Sequence, residues 1–141
     1  MEYEYLEHTA DLKFKAFGKN LKHAFQNAAK AMFNSLVDLS AISPKIEKNV
    51  ELTSENLESL LFDWLSELLR LQDTDNLLFS EFIIKNLNKQ DGKWYLKAKI
   101  KGEKFNKAKH NPKVMIKAMT YNELKIEKKG RNFILTVVMD I

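Results

Sequence analysis

Two segments in which apolar residues recur every three or four positions constrain the fold of this chain more than any other feature. In residues 21–36 this spacing predicts a helix with one buried stripe, and Asn20 is its predicted N-cap. A second stripe runs from Leu57 to Leu69, and we expect Thr53 or Ser54 to cap that helix. Both helices are amphipathic, so each must bury its apolar face against another layer.

The rest of the chain shows the alternation of apolar and polar residues that is typical of half-buried strands. The predicted strands and extended segments are Leu12–Ala16, Lys45–Leu52, Leu77–Asn86, Trp94–Ile100, Met115–Glu127 and Phe133–Met139. Turns are predicted at Asn88–Gly92 and Lys128–Arg131. We therefore predict the α+β class: a single domain, residues 1–141, with two amphipathic helices packed on one side of a largely antiparallel β-sheet.

Composition excludes several classes of protein. The chain has no cysteine, which excludes disulfides and thiolate metal sites and favours a reducing cytoplasm. The longest uncharged run covers only residues 132–139, too short to span a bilayer, and the acidic N-terminal stretch does not resemble a signal peptide. We expect no membrane and no DNA among its partners.

Charge is distributed unevenly along the chain. Residues 1–84 carry 8 basic and 14 acidic side chains, whereas residues 85–131 carry 15 basic and 4 acidic ones. The basic stretch could contact an anionic partner such as RNA or an acidic protein. Alternatively it is a solvated face, because only Arg70 and Arg131 are arginines, the residue best suited to bidentate phosphate recognition.

Two acidic positions could bind a divalent cation. Asp11 lies just before the first predicted strand, in the motif Glu-His-Thr-Ala-Asp that also contains His8, and Asp140 precedes Ile141 directly after the last strand. The carboxylates of Asp11, Asp140 and the Ile141 terminus would supply three hard oxygen ligands, which suit Ca²⁺, Mg²⁺ or Mn²⁺. The alternative is that Asp11 and Thr9 satisfy a turn while the other carboxylates are solvated.

Two further residues remain open on spacing alone. Lys117 interrupts an apolar run, so its side chain either extends to solvent from a sheet edge or binds phosphate in a site. His110 lies in a basic polar loop, where a single histidine usually has no special role.

Taken together, the motifs of the chain resemble the archease family over its whole length. The residues that carry this resemblance are Glu7-His8-Thr9-Ala10-Asp11, Gly18, Ala24-Phe25, Ala31-Met32-Phe33, Leu60-Leu61-Phe62-Asp63-Trp64-Leu65, Lys101-Gly102-Glu103, His110, Ile116-Lys117-Ala118-Met119-Thr120-Tyr121 and Asp140-Ile141. Asn122 departs from the pattern, since many relatives have histidine at that position.

The resemblance implies a small α+β protein that is not itself an enzyme. Archeases assist the RNA-splicing ligase RtcB, which joins RNA ends carrying a 2′,3′-cyclic phosphate or 3′-phosphate to a 5′-hydroxyl. They promote guanylylation of the ligase histidine and multiple turnover, and they can broaden the nucleotide use of the ligase. The implied roles are tRNA splicing and RNA repair in the cytoplasm, with at most weak or indirect contact with tRNA.

The resemblance also implies functional residues. Asp11, Asp140 and Ile141 match the metal-binding set of the family, His8 lies in the same motif, and Lys117 matches its functional lysine. Two alternatives of other classes remain: a stand-alone RNA-binding or chaperone-like protein that uses residues 85–131, and a metal-dependent phosphohydrolase. The small number of candidate ligands disfavours the hydrolase.

Overall fold

The computed structural model describes residues 1–7 and 10–141, and these form two α-helices, a short 3₁₀-helix and eight strands. The elements in chain order are β1 (Tyr3–Leu6), β2 (Asp11–Gly18), α1 (Leu21–Leu36), the 3₁₀-helix (Leu39–Ala41), β3 (Ile46–Ser54), α2 (Leu57–Asp75), β4 (Leu77–Gln90), β5 (Lys93–Lys104), β6 (Ala118–Met119), β7 (Lys125–Lys129) and β8 (Asn132–Asp140). The predicted α+β class is confirmed.

The strands are divided between two antiparallel sheets, whereas the sequence suggested one. The first sheet has the order β1-β2-β8-β6, and β7 also pairs with β8; the second has the order β3-β5-β4. Helix α1 contacts β2 and β8 of the first sheet and β4 of the second, while α2 contacts β3, β5 and β6. Both helices therefore connect the two sheets through one shared hydrophobic core.

Helix α1 buries nine of its 16 residues, whereas α2 buries seven of its 19. Its N-cap is Asn20, as predicted, whose side chain accepts a hydrogen bond from the His23 N–H at 2.9 Å. Small alanines and large apolar residues share its buried positions, which are Ala24, Phe25, Ala28, Ala29, Ala31, Met32, Phe33, Ser35 and Leu36. These buried residues cover more than one side of the helix, as expected for a helix that contacts both sheets.

The N-cap predicted for α2 was wrong. Asn56 caps the helix, accepting a hydrogen bond from the Ser59 N–H at 2.8 Å. Thr53 and Ser54 still belong to β3, where they pair with β5, so their backbones are committed to the sheet. Propensity alone did not distinguish these polar residues, since each of the three can cap a helix.

The extended segment predicted for Met115–Glu127 was also wrong in most of its length. Only Ala118–Met119 and Lys125–Lys129 are strands within or overlapping it. Between them the chain turns, with the Leu124 N–H bonded to the Tyr121 carbonyl at 3.2 Å and Glu123 in the left-handed region at φ 55°. The apolar positions before the turn, Ile116 and Met119, are buried in the core instead of defining a long strand.

The hairpin between β4 and β5 is tighter than predicted. Strand β4 extends to Gln90, which pairs with Lys93, so only Asp91 and Gly92 form the turn. Both have positive φ, 52° and 78°, as a type I′ turn requires, and the Asp-Gly sequence is one that commonly adopts this turn. Strand β1 was not predicted, because its four residues give too short a pattern.

None of the described helices is both long and apolar enough to cross a membrane.

Candidate functional site at the rim of the first sheet

The two acidic residues singled out in the sequence lie opposite each other in the first sheet. Asp11 begins β2 and Asp140 ends β8, and the two are register partners in this antiparallel pair. Directly opposed residues project from the same face of a sheet. Their neighbours Leu12 and Met139 pack in the core, so the two carboxylates project from the outer face, away from the core.

A third strand adds the segment of Lys117 to this rim. Ala118 is the register partner of Asp140 on its other side, and the Lys117 N–H donates to the Asp140 carbonyl at 2.8 Å. The Lys117 side chain is exposed and, with Ser66 and Arg70 of α2, lines a groove of about 490 Å³. Lys117 is therefore one residue out of register with Asp140, and its side chain projects toward α2 and not from the face that carries the two carboxylates.

Ile141 directly follows Asp140 and is 36% exposed. The three predicted ligand residues that the structure describes, Asp11, Asp140 and Ile141, therefore lie at the same end of the first sheet. We call the set Asp11, Lys117, Asp140 and Ile141 the acidic rim. The described residues contain no group of three or more acidic or histidine side chains placed to hold a metal ion. A site with three oxygen donors would therefore require an oxygen of Ile141 besides the two aspartates. The prediction on His8 lies outside the described residues.

The chemistry of the donors nevertheless fits a hard cation. Asp11 is half-buried and Asp140 is exposed, so one carboxylate is partly held by its surroundings and the other is open to solvent. Carboxylate oxygens suit Ca²⁺, Mg²⁺ and Mn²⁺, which commonly retain water ligands.

His110 lies elsewhere, in a buried cluster. Its side chain is completely buried, and its Nε2 lies 2.9 Å from Oε2 of Glu103 at the end of β5. Its Nδ1 accepts a hydrogen bond from the Asn106 N–H at 2.9 Å, so the ring proton resides on Nε2 and is donated to Glu103. Because both ring nitrogens form hydrogen bonds within this cluster, His110 has a structural role and is not part of the acidic rim.

Glu103 is the centre of this cluster, and in the sequence it stands out only as part of the motif Lys101-Gly102-Glu103. Its Oε2 accepts hydrogen bonds from the Ser43 N–H at 2.8 Å and from Lys109 Nζ at 2.7 Å, as well as from His110. Burial raises the pKa of Glu103, but the hydrogen bonds from Lys109, Ser43 and His110 outweigh burial and lower the pKa to about 2. The feature of the sequence that could have indicated this role is that Glu103 is an acidic residue among the lysines of β5.

Aromatic residues border the groove that Lys117 lines. Tyr121 is 56% exposed and stacks on Phe62 of α2, with ring centroids 4.0 Å apart and planes parallel. Met115, at the other end of the groove, is 80% exposed. Phe62 and Tyr121 entered the sequence analysis only as part of the resemblance, and their stacking was not predicted, because the sequence does not show which aromatic rings meet.

The basic stretch 85–131 does not form one surface. Its lysines are divided between β4 and β5 of the second sheet, the loop after β5, and the β7–β8 hairpin of the first sheet. On the second sheet several are balanced by glutamates: Lys97 lies 3.7 Å from Glu51, and Lys99 lies 3.7 Å from Glu47. The charge surplus of the sequence is thus spread over the fold and partly compensated.

A family model and several curated relatives match this chain over nearly its whole length. Residues 3–141 match the Archease protein family (MTH1598/TM1083). The chain is 46% identical over 140 residues to the protein archease of Methanosarcina mazei, covering 99% of this chain and 96% of that one. It is 43% identical over 144 residues to the protein archease of Sulfurisphaera tokodaii, covering 99% of both.

Solved structures show the same fold. The solution structure of Methanobacterium thermoautotrophicum protein 1598 superposes with a TM-score of 0.89 at 35% identity and covers 99% of each chain. The Thermotoga maritima crystal structure described as an archease and possible chaperone has a TM-score of 0.60 at 21% identity, covering 96% of this chain and 94% of that one. The match to the family over nearly the whole length, together with these relatives, shows that the chain belongs to the archease family.

Proposed function

We propose that this protein is an accessory activator of the RNA-splicing ligase RtcB, acting in the cytoplasm in tRNA splicing and RNA repair. In this role it is not a catalyst itself. It promotes guanylylation of the ligase histidine and thereby allows the ligase to turn over repeatedly. Membership of the archease family supports the proposal.

The observation that carries the proposal is the pairing of Asp11 with Asp140 at an exposed end of the first sheet. Two strands of a rigid sheet hold these carboxylates on one face, so they can act as a unit. Because the strands end there, a partner protein could approach the carboxylates without displacing any part of the core.

In the proposed site, Asp11, Asp140 and an oxygen of Ile141 hold a divalent cation, which is Ca²⁺, Mg²⁺ or Mn²⁺. When bound, such a cation neutralises negative charge on phosphate oxygens. The role of the chain itself is to hold the two carboxylates in register and to keep the main chain of Lys117 fixed to Asp140 by the hydrogen bond of 2.8 Å. The Lys117 side chain lies on the α2 side of the same sheet end, where its ammonium would bind a nucleotide phosphate that extends around the edge of the sheet.

A ligation assay tests the proposal. RtcB, present in limiting amount over an RNA with 3′-phosphate and 5′-hydroxyl ends, is incubated with GTP and Mn²⁺, with or without this protein. We expect wild type to convert roughly one turnover into many, and Asp11→Asn, Asp140→Asn and Lys117→Gln to lose most of this stimulation, by about tenfold or more.

Matched controls change the same charges elsewhere. Asp91→Asn alters the exposed β4–β5 turn, where asparagine tolerates the left-handed backbone, and Lys97→Gln alters the second sheet. Both should stimulate the ligase as wild type does. Full stimulation by the rim variants would refute the assigned residues, and no stimulation by wild type at equimolar ratio would refute the activator function.

A further inference from the structure

A cleft of about 600 Å³ lies at the opposite end of the first sheet from the acidic rim. It is formed between the start of α1 and the β7–β8 hairpin, and its lining includes Lys19, His23 and Lys129. In β2 and β8 the rim pair is Asp11–Asp140, whereas Gly18–Phe133 is the pair at the cleft end. Seven residues of strand separate the two ends, roughly 23 Å.

The walls of this cleft are fixed by the fold. At Gly18 an added Cβ would lie 2.2 Å from the Ala24 backbone nitrogen, so only glycine lets the end of β2 pack directly against α1. Asn27 Nδ2 donates to the Phe17 carbonyl at 2.6 Å, which attaches α1 to the same strand. Because the cleft is built from packed backbone, its lysines project from a rigid support.

The charge of the cleft is positive and uncompensated. Among residues 1–7 and 10–141, Lys19 and Lys129 find no ion-pair partner within 4 Å. The carboxylate that lines the cleft, Glu2, is paired with Lys30 at 2.7 Å. We call Lys19 and Lys129, together with the cleft they line, the basic cleft.

We propose that the basic cleft binds the phosphate backbone of RNA. Uncompensated cations around a concave surface attract a polyanion, and its binding releases condensed counterions. The lysine ammonium is a point charge and lacks the planar, bidentate geometry of the arginine guanidinium. We therefore expect these lysines to contact RNA phosphates, with little dependence on base sequence. The choice of RNA as the polyanion rests on the proposed function, in which the partner enzyme joins RNA ends. In this arrangement the acidic rim faces the ligase while the basic cleft holds its substrate.

The test measures binding by the purified protein without any ligase. The probe is a fluorescent single-stranded RNA of twelve nucleotides, and Lys19→Gln/Lys129→Gln is compared with Lys97→Gln/Lys99→Gln, which removes the same charge from the second sheet. We expect wild type to bind weakly with affinity that falls as salt rises. The cleft variant should bind roughly tenfold more weakly at low salt, with a slope of log K against log salt smaller by about 1.4.

The control variant should bind as wild type does, and thermal melting of all three proteins verifies that each is folded. Equal loss in both variants, or no binding of RNA by wild type at low salt, would overturn the inference. Tighter binding of a polyglutamate peptide than of RNA would also overturn it, in favour of an acidic protein partner.

The ligation assay separates this inference from the proposed function. If the cleft variant fails to bind RNA while Asp11→Asn still binds it, the basic cleft is established whether or not the ligase is stimulated. If stimulation is intact but wild type binds no RNA, the activator function stands and the basic cleft is refuted.

Discussion

At the scale of single residues, the strongest polar feature is the cluster around Glu103. Three donors from separate places in the chain, Ser43, Lys109 and His110, converge on one carboxylate oxygen of a side chain that is almost fully buried. A buried carboxylate without such partners would be costly, so these hydrogen bonds join the loop after β5 to the segment before β3. That loop continues into the segment that carries Lys117.

The cluster makes stability depend on pH in a defined direction. The pKa of Glu103 is lowered from 4.5 to about 2, so its contribution is complete above pH 4.5 and is lost as pH falls toward 2. We expect Glu103→Gln to destabilise the protein by about 2 kcal/mol at neutral pH, because it replaces charge-assisted hydrogen bonds. The difference between wild type and variant should shrink between pH 4.5 and 2.

Urea unfolding monitored by tryptophan fluorescence at several pH values measures this difference. Glu127→Gln provides a control, since the Glu127 carboxylate lies in an ion pair of 3.6 Å with the exposed Lys125. If the difference in the free energy of unfolding between wild type and Glu103→Gln stayed constant down to pH 2.5, it would contradict the assigned pKa.

At the scale of elements, close backbone approach and capping decide the geometry. At Gly102 in β5 an added Cβ would lie 1.8 Å from the Leu78 carbonyl oxygen, so glycine is required where β4 crosses it next to a bulge. A second bulge in β4 lies between Ile84 and Asn86, and beside it the Ile84 N–H donates to Gln26 Oε1 of α1 at 2.9 Å. This hydrogen bond attaches the second sheet to helix α1.

The corrected cap of α2 gives a simple test at this scale. We expect Asn56→Ala to destabilise the protein by about 1 kcal/mol, because the Ser59 N–H loses its acceptor at the helix start. Thr53→Ala, at an exposed position in β3, should change stability by less than about 0.5 kcal/mol. Chemical denaturation of both variants decides between the two caps, and a larger loss for Thr53→Ala would restore the cap expected from the sequence.

At the scale of the whole molecule, charge is polarised along the first sheet. The acidic rim is at one end of β2 and β8, and the basic cleft is at the other. This polarity differs from the division of charge along the sequence, because β8 pairs with β2 from the acidic half on one side and with the basic β7 on the other. A protein that contacts two partners at once benefits from such separated surfaces.

Binding of a cation at the acidic rim should stabilise the native state. A ligand at 100 times its dissociation constant adds about 2.7 kcal/mol, so we expect Ca²⁺ or Mn²⁺ to raise the Tm of wild type by several degrees. The double variant Asp11→Asn/Asp140→Asn should show no rise, and EDTA should reverse the rise in wild type. Differential scanning calorimetry measures it, and an equal rise in the double variant would assign the cation to another site.

The sequence by itself determined the two helices, the N-cap at Asn20 and the α+β class, because periodicity and short polar caps are local properties. It also identified Asp11 and Asp140 as chemically unusual, since both flank strands and the terminal motif was distinctive. The metal and partner assignments remain predictions.

Only the tertiary structure decided how these parts meet. The pairing of Asp11 with Asp140, the hydrogen bond from Ser43 to Glu103, and the placement of Lys19 and Lys129 along one cleft all bring together residues distant in the chain. Such contacts depend on strand register and on the division of strands between two sheets. Hydrophobic periodicity shows which face of a strand is buried, but it does not determine which strand becomes its neighbour.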